Sequence, residues 1–191
     1  MNFTNDMKNF LAPFKAIQEL LERFDNRGVI IGGIASSLLG KARLTADLDV
    51  MMLLPTEDIP HLICESESVG LEARVDNADE FAHKNRILLL RHHDSATNVD
   101  IVLGNLPFEK EVVERSQLVS IEGINLRLPT AEGLIVMKAV AHRAKDMLDI
   151  QGLVDANPNL DKQRIKYWLR QFAEALELPE IWQDVEKLLS D

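Results

Sequence analysis

Thr45-Ala-Asp-Leu-Asp-Val-Met-Met-Leu-Leu54 is the stretch whose reading decides the fold. Asp47 and Asp49 stand two apart, each followed at once by an apolar residue, and the apolar run ends at Pro55. Side chains two apart on a strand leave from the same face. The segment therefore reads as a strand, Leu48 to Leu54, that sets two carboxylates side by side and turns apolar residues toward a core. Like charges held this close repel unless a proton or a cation neutralises them. The pattern predicts a divalent-metal site at Asp47 and Asp49.

The segments on either side supply the rest of an α/β unit. Upstream, Val29-Ile-Ile31 reads as a short buried strand ended by Gly32-Gly33, and Ile34 to Leu39 as a short helix closing near Gly40. Before these, Phe10, Phe14, Ile17, Leu20, Leu21 and Phe24 recur at helical spacing, which predicts a helix over 6–24 with Pro13 near its start. Downstream, 56–69 is expected to be helical, with Thr56 as N-cap and Pro60 in an early turn. Residues 86–91 read as a third strand. Residues 98–103 read as a fourth, with Val99, Ile101 and Leu103 on one face and Asn98 and Asp100 on the other. A short helix beyond Phe108 leads to 118–121 and 124–128, joined through Glu122-Gly123 as a hairpin. After Pro129-Thr130 only helices are expected: 131–141, continuing or restarting through 154, then 161–176 from an Asp161 N-cap, then 179–189. The reading is thus α+β, with residues 1–129 as the α/β core and 130–191 as a helical C-terminal part.

Composition narrows the function classes. A hydrophobic content of 46% and a charged content of 27% over 191 residues are those of a globular protein able to bury a core. The net charge of −10 argues against non-specific binding of long nucleic acid, which needs basic stripes. The single cysteine, Cys64, cannot form an intramolecular disulfide and reads as an inert helix residue. The start lacks a secretory layout, and no apolar run approaches the ~20 residues of a membrane span. A cytoplasmic protein without a membrane partner is expected; the oligomeric state stays open. His92-His93 beside Asp94 reads as a loop feature, since adjacent residues on a strand face opposite ways. Trp168 and Trp182 fall on amphipathic helices and are expected in a core or an interface rather than stacked on bases.

Three features stand in chain order: the glycine pair between a strand and a short helix, the D-x-D on the next strand, and Asp100 on a later one. Together they resemble the nucleotidyltransferase fold of the polymerase-beta type. The wording Gly32-Gly-Ile-Ala-Ser-Ser-Leu-Leu-Gly-Lys-Ala-Arg-Leu-Thr-Ala-Asp-Leu-Asp49 is similar to the pattern of AbiEii-like and related small bacterial nucleotidyltransferases. Met137-Lys-Ala-Val-Ala-His-Arg-Ala-Lys-Asp-Met-Leu-Asp149 is similar to a later helix of the same group, and the resemblance spans about 29–154. Many relatives carry Gly-Ser where this chain has Gly32-Gly33, so phosphate contact by a serine would pass to Ser36, Ser37 or backbone amides.

The resemblance implies a small mixed sheet backed by helices and transfer of a nucleotidyl group from a nucleoside triphosphate, ATP being favoured. Asp47, Asp49 and Asp100 would be catalytic and hold magnesium, with manganese as the alternative. Magnesium suits this reading, because it is held by a few carboxylates plus substrate phosphates. Paired ions can clamp both oxygens of an in-line displacement, and backbone N–H groups at a glycine turn favour phosphate. Gly32, Gly33, Ser36, Ser37, Arg43, Thr45 and Lys138 would bind the nucleotide. Lys138, His142, Lys145 and Asp149 fall at i, i+4, i+7 and i+11, one polar stripe on a helix. Asp146 and Asp149 would orient ligands, act as an acid–base pair, or pair with Arg143 and Lys145. The acceptor is an RNA end, a protein hydroxyl or a small molecule, and the group includes toxins with a cognate antitoxin. The competing readings are a nucleotidyltransferase-like protein that binds nucleotide or a partner without catalysis and, ranked last, a metal-dependent hydrolase using the same acids.

Overall fold

A computed structural model describes residues 10–42 and 45–190, the side chain of residue 190 excepted. Helix α1 (Leu11–Arg23) buries Phe14, Ile17, Leu20 and Leu21 along one face, and Pro13 lies in its first turn, where a missing N–H costs nothing. Strand β1 (Gly28–Ile31) leads directly into α2 (Gly32–Leu39), and β2 (Asp47–Met52) follows. A 3-10 turn over Thr56–Asp58 then opens into α3 (Ile59–Ser68) with Pro60 in its first turn. Thr56 makes no capping hydrogen bond there; the turn begins after Pro55 instead.

Two elements are absent from the sequence reading: β3 (Leu71–Ala73) and α4 (Ala78–Asn85). Both are short, and α4 buries only Ala82 among its residues, so neither carries a hydrophobic period long enough to read. Arg86 caps α4 in the left-handed region and donates twice to the Leu103 carbonyl, through Nε at 3.1 Å and Nη2 at 2.8 Å. Strand β4 therefore starts one residue later than the pattern indicates, at Ile87, and ends at His92. Then come β5 (Asn98–Leu103), α5 (Pro107–Glu114), and the hairpin β6 (Gln117–Ile121) and β7 (Ile124–Leu128). Glu122 and Gly123 both have positive φ, the backbone that a two-residue hairpin turn requires.

The sheet has five strands in the order β1-β2-β5-β4-β3, with β2 and β5 parallel and every other pair antiparallel. Its mixed character follows from the chain leaving β2 and returning beside it only after α3, β3, α4 and β4. On β5 burial alternates strictly, Val99, Ile101 and Leu103 inward and Asn98, Asp100 and Val102 half exposed, as the sequence period predicts. Leu48, Val50, Met51 and Met52 on the central β2 are fully buried, each contributing about 1.5–3 kcal/mol relative to exposure. Leu48, Val50 and Met52 thus line one face of β2, while the other runs from Asp47 and Asp49 to a buried Met51.

The remaining chain is helical: α6 (Ala131–Ala141), α7 (Ala144–Ala156), α8 (Lys162–Leu176) and α9 (Glu180–Ser190). Thr130 caps α6 through Gly133 N–H at 3.3 Å, and Asp161 caps α8 through Arg164 N–H at 3.0 Å. The helix does not continue past Ala141. His142 turns into the left-handed region and α7 restarts after Arg143, so Lys138, His142, Lys145 and Asp149 do not form one stripe.

The chain divides into two compact units. One reaches Ile34 and resumes after segment 35–43 to end at Leu128; the other joins that segment to the chain from Pro129 onward. Leu134, Ile135, Ile150, Leu153, Ile165, Leu169, Ile181 and Val185 form the core of the second unit, all at or near zero exposure. Among the described residues no helix is long and apolar enough to cross a membrane.

Candidate active site

The polar face of the sheet carries the acids, and strand register fixes their order. On the parallel β2/β5 pair Asp49 stands opposite Asp100, and Asp47 opposite Asn98. Continuing sideways, Ile31 of β1 faces Asp49, and Leu89 of β4 faces Asp100. One row thus reads Ile31, Asp49, Asp100, Leu89. The next row reads Asp47, Asn98, Arg91. Neighbouring strands lie about 4.8 Å apart, so Asp49 and Asp100 are close, while Asp47 lies a further two residues, about 6.6 Å, along β2.

Each acid is held by a neighbour. Asn98 Nδ2 donates to Asp47 Oδ1 at 3.2 Å, and Arg91 Nε donates to Asn98 Oδ1 at 3.3 Å, so the second row is a chain of donors ending on a carboxylate. Asp100 Oδ1 accepts from Arg74 Nη2 in a close ion pair. Arg74 directly follows β3, and its N–H donates to the Leu89 carbonyl at 3.0 Å, which anchors its backbone in the first row. The guanidinium then reaches across β4 to Asp100 on β5.

Asp49 lies over the glycine turn. A Cβ placed on Gly32 would fall 1.8 Å from Asp49 Oδ2 and 2.6 Å from its Cγ, and Gly32 has a φ of +66°. Glycine is therefore required at 32 twice over, by conformation and by space. Replacing Gly32 with Ala is expected to displace the Asp49 carboxylate. The fold should survive with about 1–2 kcal/mol lost to the left-handed backbone, a few degrees in Tm, whereas manganese affinity should fall more than about tenfold, the scale of a disturbed ligand shell. Circular dichroism melts and manganese titration followed by electron paramagnetic resonance check the two halves separately.

The other expected nucleotide contacts are distributed differently. Thr45 Oγ1 donates to the Asp47 carbonyl at 3.4 Å, a local turn leading into β2. Gly33, Ser36 and Ser37 lie in α2 and are buried. Arg43 lies outside the described residues. Lys138 belongs to the helical unit, where it is 5% exposed, with Nζ 2.7 Å from Asp149 Oδ2 and 3.5 Å from Asp146 Oδ1. Asp146 is fully buried and also accepts from Arg143, through the backbone N–H at 3.2 Å, Nε at 2.5 Å and Nη2 at 3.1 Å. Lys138 thus reaches both acids, and Lys138 and Arg143 meet Asp146 from the two sides of the break between α6 and α7. Burial pushes the Asp146 carboxyl up, but the Arg143 hydrogen bonds and the Lys138 charge prevail and hold it below the usual carboxylate range.

His92 ends β4 rather than lying in a loop. It is buried with Nδ1 3.0 Å from Ser95 Oγ, whereas the exposed His93 pairs with Asp94, which raises its pKa. Cys64 is exposed on α3, and Trp168 and Trp182 are half-buried.

Carboxylates are the hard oxygen donors that a divalent cation such as magnesium takes, and Asp49 and Asp100 sit side by side on the open face. They fit such an ion by chemistry and register. Among the described residues, however, no group of three or more His, Cys, Asp or Glu side chains is gathered closely enough to hold one as it stands. Asp47 is oriented by Asn98 and Asp100 by Arg74, so full coordination would come from these two acids, Asp47 and substrate oxygens together.

A mixed sheet with acids on adjacent parallel strands and a glycine turn beside them defines the class of nucleotidyltransferase-like folds. The chain belongs to the family described as "Nucleotidyltransferase of unknown function (DUF6036)", whose profile matches residues 8–162. Two solved structures share the fold. An antigenic nucleotidyltransferase-like protein from Paracoccidioides brasiliensis aligns at 16% identity and a TM-score of 0.52 over 91% of each chain. The antibiotic-resistance factor ANT(2'')-Ia aligns at 16% identity and 0.52 over 86% of this chain and 95% of its own. No relative was found among curated protein sequences.

Proposed function

We propose that this protein is a magnesium-dependent nucleotidyltransferase that moves a nucleoside monophosphate from a nucleoside triphosphate, ATP foremost, to an acceptor hydroxyl. The observation that carries the reading is the side-by-side register of Asp49 and Asp100 next to the glycine turn at Gly32. Asp47, Asp49 and Asp100 would hold the ion, with manganese able to replace magnesium. The ion would supply charge neutralisation on the triphosphate and at the reacting oxygens. The Gly32-Gly33 turn and the first N–H groups of α2 would receive phosphate oxygens. The acceptor oxygen forms a bond to the α-phosphorus as the bond to the bridging oxygen breaks. Pyrophosphate leaves with the electron pair, and Asp100 is our candidate acceptor for the hydroxyl proton. Rate would come from in-line positioning and charge neutralisation rather than from covalent catalysis.

The acceptor is an RNA end, a protein hydroxyl or a small molecule; the net charge of −10 weighs against a long nucleic acid. The likeness to an antibiotic-resistance factor keeps small molecules in view, and the AbiEii-like wording keeps a toxin with a cognate antitoxin in view, both in the cytoplasm. A second reading, nucleotide binding without catalysis, draws on the Arg74–Asp100 ion pair and on Gly33 in place of serine.

The test incubates the protein and magnesium with each of four α-labelled nucleoside triphosphates and with total RNA, protein lysate or a panel of antibiotics. Label transfer by the wild type and none by Asp47→Asn/Asp49→Asn is expected. Tight nucleotide binding with no transfer to any acceptor would support the binding-only reading.

A further inference from the structure

The first row across the sheet runs on beyond Leu89. Arg74 N–H bonds to the Leu89 carbonyl, so the full row reads Arg74, Leu89, Asp100, Asp49, Ile31, with Gly32 at the end. A guanidinium therefore stands in line with the two acids of the proposed site and holds the one nearer to it. Its side chain is 27% exposed and that of Asp100 is 25% exposed, so the pair is neither sealed from water nor fully dissolved in it. Charges in such a setting act on one another over several ångström with limited screening. Of the two cations expected at a triphosphate from sequence, Arg43 lies outside the described residues, and Lys138 is engaged by Asp149 and Asp146 in the helical unit. The register puts Arg74 in the row of Asp49 and Asp100 itself, while Arg91 stands in the neighbouring row and donates to Asn98.

We propose that Arg74 is a positioning and selectivity residue that biases the Asp49–Asp100 pair against a bare divalent cation and toward a divalent cation already carried on a triphosphate. The inference rests on the nucleotidyltransferase reading given above. The two carboxylates alone form a dianionic pair, which attracts a bare cation strongly and repels a metal–triphosphate, itself anionic. Pairing with Arg74 lowers the net negative charge around these carboxylates by one. That weakens the pull on the bare cation and lessens the repulsion of the complex. A guanidinium also presents several N–H donors in a fixed fork, of which Asp100 takes only part, leaving others suited to phosphate oxygens. The two effects have opposite signs for the two ligands, which separates this role from a merely structural one.

The experiment uses the full chain with manganese alone, followed by electron paramagnetic resonance, and then manganese with ATP or inorganic triphosphate, followed by calorimetry. Arg74→Gln is expected to bind manganese alone roughly three- to tenfold more tightly and manganese–triphosphate more weakly by a similar factor, the scale of one unit charge several ångström away at intermediate dielectric. Arg74→Lys, which keeps the charge, should stay near the wild type on both. Adding Asp49→Asn to Arg74→Gln should erase the gain in manganese affinity. If Arg74→Gln weakens both ligands together, Arg74 is structural and the proposal is overturned; unchanged affinity for both overturns it equally. In either case Asp49-dependent binding by the wild type leaves the nucleotidyltransferase reading standing. A wild type that binds neither ligand in an Asp49-dependent way overturns that reading, and this inference with it.

Discussion

Asp49→Asn is expected to lower nucleotidyl transfer by on the order of a thousandfold or more, the scale seen when a principal charge-stabilising element is lost from an active site, while leaving the melting temperature nearly unchanged. Asp49 stands between Asp100 on β5 and Gly32 at the glycine turn, and its carboxylate fills the space that a Cβ at 32 would need. It is half exposed, so the neutral amide of asparagine fits without opening a cavity. The substitution removes one charge from the pair and half its capacity to hold an ion by carboxylate oxygens. Turnover measured with the acceptor found in the labelling screen, together with manganese titration, decides the matter. Transfer retained within tenfold of the wild type would remove Asp49 from the chemistry.

Lys138→Met is expected to destabilise the helical unit by about 3–5 kcal/mol, because it leaves buried carboxylates without their ammonium partner. Asp149 is 7% exposed and Asp146 not at all, and Arg143 still donates to Asp146 through Nε and Nη2. Chemical denaturation and loss of amide protection over 131–156 would report it. Lys138→Met/Asp149→Leu should recover part of the loss, since an apolar pair of similar volume carries no orphaned charge. The pH dependence follows from the depressed Asp146 pKa. Its contribution is fully present above the unfolded value near 3.9 and is lost as pH falls through the lower folded value. The gap between Lys138→Met and the wild type should therefore narrow below about pH 4, where protonation of Asp146 removes its attraction to Lys138.

Legibility differed from element to element for physical reasons. The hydrophobic period of α1, the alternation on β5 and the Glu122-Gly123 turn were readable because each is a local relation between residues a few positions apart. The strand β3 and the helix α4 were not, being too short to show a period. Arg86 read as part of a strand because its left-handed backbone is held by the Leu103 carbonyl, seventeen positions away, which no local pattern reports. The break at His142 was equally hidden: Ala131 to Ala156 keeps a helical composition throughout, and the Lys138 contacts with Asp146 and Asp149 form only across the break between α6 and α7. Arg74 shows no signal in the sequence at all, since its link to Asp100 spans 26 positions and two strand pairings.

Local pattern was enough for the class of fold, the strand bearing Asp47 and Asp49, and a glycine turn between β1 and α2. These follow from side-chain periodicity and from the conformational freedom of glycine, both properties of a short stretch of chain. Long-range packing was needed to show that a side chain at Gly32 would collide with Asp49, that Asp49 rather than Asp47 stands opposite Asp100, that Arg74 holds Asp100, and that Lys138 pairs with Asp149 and Asp146. Those are consequences of parallel register and of helix packing, where a shift of one residue would turn every side chain to the opposite face.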